Sequence, residues 1–173
     1  MAGGVAVLRE LARYCAAETD RWYAWLAEQD AAVLALPVGE AQIATVGTLL
    51  MHVAWVERAY AEVLVGAAVT ADWLPIDRLD PIRAVHREAF AKLDAILDRA
   101  DDLALEREVT LRVRGVRVTA SAGKMVAHML VHGIRHYAQL AMKLREQGHR
   151  APGEHDLITG EGFGPPAAFE EDL

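Results

Sequence analysis

Apolar residues recur at helical spacing through four separate stretches of this chain, and that pattern commits it to a bundle of helices. The first stretch runs from about Val5 to Gln29, with Leu8, Leu11, Cys15, Thr19, Trp22 and Leu26 spaced by three and four. The second, from about Thr45 to Val65, lines up Leu49, His52, Val53, Val56, Tyr60 and Val63. The third carries Ile82, Val85, Ala89, Leu93 and Ile96 to about Ala100. Asp80 is its expected N-cap and Pro81 its first helical residue. The fourth starts near Ser121, another N-cap type, and ends at Gln147 before Gly148, with Pro152 beyond. Met125, Met129, His132, His136 and Leu140 share one of its faces.

Between the third and fourth stretches the period drops to two. Val109, Leu111 and Val113 alternate with polar residues, and Arg114-Gly115 is followed by Val116 and Val118. A two-residue turn at Arg114-Gly115 sets Val113 opposite Val116 and Leu111 opposite Val118, which makes one side of a hairpin apolar. The expected fold class is all-α, an antiparallel four-helix bundle with a short β-hairpin between helices three and four. One domain is expected over 1–173, with a core at about 5–150 and an irregular tail at 151–173, where glycine and proline accumulate.

At 173 residues the chain can bury roughly 70% of its unfolded surface, so a core can form without disulfides. Cys15 is the only cysteine, which fits a reducing, cytoplasmic setting. Arg9 and Glu10 interrupt the early apolar residues, so no leader is expected, and no run of about 18 apolar residues could span a membrane. A net charge of −7 argues against nucleic acid as the main partner, since that affinity needs Lys and Arg on phosphates.

The chemistry-bearing signal is the run His128-Met-Leu-Val-His132-Gly-Ile-Arg-His136. Residues four apart on a helix lie about 5–6 Å apart at Cβ, within chelating distance for two imidazoles on one ion. Burying several imidazoles together costs desolvation, and their cationic forms repel; a shared metal relieves both. Side-chain directions drift by about 40° per four-residue step, so only two of the three can share an ion with a ligand from another helix. Spacing does not choose between His128/His132 and His132/His136, and His132 belongs to both. His52, inside an apolar stripe, is the candidate third ligand.

Other residues of these types have plainer roles. His86, among Arg83, Arg87 and Glu88, is expected to be solvated, and His149 and His155 to lie on the surface. Cys15 reads as a small core residue. Trp22, Trp25, Trp55 and Trp73 read as core or pocket walls, with Trp55 a candidate wall of a substrate cavity.

Neither histidine pair has the glutamate of a His-Glu-x-x-His helix, because Met129 and Gly133 stand in its place. Three histidines without an adjacent carboxylate leave a divalent ion with open positions, and such an ion deprotonates a coordinated thiol outright. Thiol transfer fits this set somewhat better than hydrolysis.

With Thr48-Leu-Leu-Met-His52-Val-Ala-Trp55 in helix two, the hairpin, and His128 through Gln139 in helix four, the chain resembles the DinB/YfiT-like family over roughly Val5 to Arg150. The resemblance implies an up-down-down-up DinB-like bundle, often a homodimer. It also implies a zinc or nickel ion held by His52, His132 and His136, with His128 lining the pocket. Relatives with assigned activity include S-transferases using low-molecular-weight thiols and a thiol-dependent maleylpyruvate isomerase; many have none. The family often continues Arg-Gly-Gln after the last histidine, where this chain has Tyr137-Ala138-Gln139, so an anion contact by that arginine is missing. The rival readings are a metal-dependent hydrolase, a non-catalytic metal-binding stress-response bundle, and a structural bundle whose histidines bind nothing.

Overall fold

The structure is a computed structural model that describes residues 3–72, 74–113, 115–152 and 157. Among these, the long helices are α1 (Gly4–Ala27), α2 (Val46–Leu64), α3 (Leu79–Arg99) and α4 (Ala122–Glu146). Strands β1 (Glu108–Val113) and β2 (Val116–Ser121) form an antiparallel hairpin between α3 and α4. Its register pairs Val113 with Val116 and Leu111 with Val118, as the two-residue turn requires. Val109 and Leu111 of β1 are buried against the helices, while Val116 and Val118 of β2 stay in solvent, so only the β1 side of the apolar face is covered.

The helix ends follow local chemistry. Thr45 and Thr48 form a reciprocal capping box at the start of α2, and Ser121 accepts from the Lys124 amide at the start of α4. Gly148, at φ 84°, closes α4 with amide bonds from Gly148 to Arg145 and from His149 to Leu144, a Schellman arrangement. Helix α3 starts earlier than its sequence suggests. Its N-cap is Arg78, without a side-chain bond, so Asp80 does not cap it and Pro81 is its third residue. Proline is tolerated there because the first four helical N–H groups have no intrahelical partner to lose.

Two clusters fix the helix directions. Val46 and Leu49 at the start of α2 pack with Leu26 of α1, Ile82 of α3 and Leu144 of α4. Leu64 at its end packs with Ala12 of α1, Leu97 of α3 and Met125 of α4. Helices α2 and α3 therefore run together, against α1 and α4, which is the up-down-down-up order. The connection 65–78 must return along α2, a helix of 19 residues and about 28 Å. Fully extended it could reach about 46 Å, so it has length to spare.

That return is pinned at Thr70. Glu62 accepts from its amide (2.8 Å) and hydroxyl (2.7 Å), while Trp55 Nε1 (3.2 Å) and Arg58 (3.3 Å) donate to its carbonyl. Further along, the Ile76 carbonyl crosses α2 at Gly47, where a Cβ would collide with it and also meet the Leu34 carbonyl at 3.3 Å. Alanine is the better helix former by about 1 kcal/mol. Overpacking against backbone that cannot swing away costs more, about 1–3 kcal/mol. Gly47→Ala is expected to lower the thermal midpoint; an unchanged or raised midpoint would show the crossing to be looser.

Candidate metal centre

The buried stripes of α2 and α4 face each other, and the histidines sit where the stripes meet. His52 Nε2 lies 3.1 Å from His132 Nε2. The His136 ring is 4.5 Å from that of His132 and 5.1 Å from that of His52, centroid to centroid. One ring nitrogen from each can be chosen so that all three lie within 4.8 Å of one another. With metal–nitrogen bonds of about 2.0–2.1 Å, two ligands of one ion are about 2.9 Å apart at 90° and about 3.3 Å at the tetrahedral angle. The spacing of 3.1 Å falls between them, so the residues fit a divalent ion.

Gly133, next to His132, faces α2: a Cβ there would stand in ordinary contact with Glu57 Oε1 at 3.5 Å and Val53 at 4.0 Å. His128 is outside the triad: it is exposed, packs on Tyr60 at 5.4 Å, and its ring lies 5.8 Å from that of His132. The geometry thus singles out the pair His132/His136 that helical spacing left open.

Orientation comes from a side chain three residues beyond His136 on α4. Gln139 accepts from His136 Nδ1 at 3.1 Å, and its own amide donates to the Val38 carbonyl at 3.3 Å. The amide donation aims the Gln139 oxygen at the imidazole, which places the proton on Nδ1 and leaves the Nε2 lone pair for an ion. Removing such an outer partner typically weakens metal affinity 10–100-fold. Gln139→Leu is expected to fall in that range in a competitive chelator titration, and an unchanged affinity would mean that the ring is fixed by packing alone.

Burial pushes the pKa of His132 down to about 3, helped by the positive potentials of His136, His52, His128 and Arg135. His136 is lowered too, mainly by burial, against the opposing bond to Gln139. Neutral imidazole is the ligating form, so this ligand is ready at ordinary pH. In the metal-free protein the unfolded chain takes up a proton near pH 6.5 that folded His132 refuses. The contribution is complete above pH 6.5 and is lost as pH falls toward 3. Chelator-treated protein should therefore melt lower at pH 5 than at pH 7, and His132→Asn should flatten that slope.

The remaining candidates fall into place around the triad. Cys15 is buried in the core, as expected, and burial pushes its thiol up to about 12, with Glu57 and Glu18 adding to the shift. Trp22 is a core residue, whereas Trp55 is half-buried and tied to the Thr70 anchor. His149 is half-buried, while Trp73, His155 and nearly all of the tail lie outside the described residues. The solvated role expected for His86 is wrong. It is 3% exposed, its Nδ1 is 2.6 Å from Glu57 Oε2, and its ring packs between Tyr23 and Phe90. Its neighbours along α3 are charged, but its own direction points inward to α2.

Comparison with curated proteins finds no match. The family model described as the DinB family matches residues 3–159, which takes in the four helices, the hairpin and every histidine of the triad. The chain belongs to the DinB family.

Proposed function

We propose that this protein is a metal-dependent S-transferase that joins a low-molecular-weight thiol to an electrophilic small molecule. The supporting observation is a cluster of three imidazoles that no carboxylate joins among the described residues. His52, His132 and His136 would hold zinc or nickel as neutral donors, with positions left open. Bound there, the ion would lower the pKa of a thiol on an open position and keep it as thiolate. Gln139 keeps the His136 lone pair directed inward.

The chain's own sulfur cannot take that role. Cys15 is 5% exposed, its Sγ lies 3.9 Å from the Leu130 carbonyl, and a pKa near 12 holds it as thiol. The transferred sulfur would then come from solution, which favours a diffusible thiol as the co-substrate. No helix among the described residues is long and apolar enough to cross a membrane.

The test is thiol-dependent consumption of a chlorobimane by nickel- or zinc-loaded protein, compared with His52→Ala, alongside a thiol titration of cobalt-substituted protein. Turnover that needs both thiol and His52, with sulfur-to-metal charge-transfer bands, supports the proposal. A thiol that never reaches the metal ends it, and thiol-independent ester cleavage lost in His132→Ala would assign a hydrolase instead.

A further inference from the structure

We propose that the cleft between α1 and α4 is a second ligand site, separate from the histidine triad, for a small organic anion with an apolar body. The cleft has a volume of about 330 Å³, within the range of small-molecule sites, and no histidine lines it. Its floor is the pair Trp22 and Tyr137, stacked at 5.7 Å with 14° between the rings and both almost fully buried. The two rings stack on each other and close the bottom of the cleft, so a ligand's apolar contact comes mainly from the side chains of α4 above them.

The walls show why the hollow exists. Along the outer side of α4, Ile134 and Met142 stand in solvent at 37% and 51% exposure. Between them the chain places Ala138 and Ala141, whose single methyl groups leave the space above the floor empty. A helix face that only needed solubility would carry charged residues here, and exposed apolar side chains that gather around a concavity mark a binding surface. A flat patch would suit a second copy of the chain better; this one is concave.

Charge selects the ligand class. Glu18 reaches the cleft, but its carboxylate is 2.8 Å from the Arg21 guanidinium and thus neutralised. Arg145, in the last turn of α4, also lines the cleft and forms no ion pair or hydrogen bond through its side chain among the described residues. The remaining charge is one guanidinium, whose planar fork of donors matches a carboxylate. An acid would place its apolar body in the hollow over Ala138 and Ala141, between Ile134 and Met142, and its carboxylate on Arg145.

Calorimetric titration of the full chain with 3-phenylpropionate, 3-phenylpropanamide and 3-phenylpropylamine tests this. The carboxylate should bind saturably and about tenfold more tightly than the amide. Arg145→Gln should erase that difference by weakening the acid alone, and Ala138→Trp, which fills the hollow, should abolish binding of both. Nickel stoichiometry at the triad should be the same in both variants, which shows that they are folded and separates this site from the transferase reading. The proposal is overturned if none of the three compounds binds, or if the amine binds best. It is equally overturned if wild-type protein self-associates in sedimentation velocity and Ala138→Trp is monomeric, for then the cleft is an interface between copies.

Discussion

Replacing His132 with alanine is expected to abolish metal binding and, with it, the largest ligand-induced stabilisation available to this fold. His132 is central to the triad: its Nε2 is 3.1 Å from that of His52, and its ring is the nearest to His136. Without it the two remaining imidazoles come from different helices and gain little from chelation. A ligand at 1,000 times its Kd stabilises the folded state by about 4.1 kcal/mol. For a chain of 150–250 residues that raises the thermal midpoint by roughly 8–16 °C. Wild type should show one equivalent of nickel or zinc and a shift of that size; His132→Ala should show neither. The metal-free variant should not be crippled, because the substitution removes a ring whose Nδ1 is buried without a hydrogen-bond partner among the described residues. His128→Ala is the control, and it should keep both the metal and the shift. Equal metal content in His132→Ala and wild type would dismantle the site.

Interactions made within one element were legible in the sequence, and those made between elements were not. Stripes at spacing three and four locate all of the long helices, because burial of one face is a property of a single segment. Pairing arithmetic gives the hairpin register for the same reason: the turn fixes which residues oppose. The start of α3 was misread because Asp80-Pro81 is a good local signal, while the chain entering that helix is set by the return of 65–78 along α2. The choice of His136 over His128 needed the position of His52 on a different helix. Gln139 was visible three residues after His136, a spacing at which helical side chains meet. What the spacing could not show is that the Val38 carbonyl, from the loop before α2, determines which way its amide points.

His86 shows the same limit most sharply, and it carries the second large effect. Its partner Glu57 is 29 residues away on α2, and the two are 3% and 2% exposed in side chain, with 2.6 Å between Nδ1 and Oε2. Taking charge or strong dipoles out of water is unfavourable, and such a pair is tolerated because each member satisfies the other. Removing one partner leaves the other buried and uncompensated, which costs about 3–5 kcal/mol. Glu57→Leu and His86→Leu are each expected to destabilise by that amount in urea melts. The double replacement should lose much less than the sum, because the apolar pair leaves no stranded polar group and occupies similar space between Tyr23 and Phe90. A coupling energy of about 2 kcal/mol or more would show the pair to be a mutual dependence. Additive losses would mean that each residue acts through packing alone. Glu57 also reaches α4, where its Oε1 lies 3.5 Å from the point at which a Cβ on Gly133 would stand. His86 thereby fixes a carboxylate of α2 that faces α4 next to His132. The double variant should accordingly fold yet bind nickel more weakly, since the α2–α4 spacing that lets His52 meet His132 would no longer be fixed from behind.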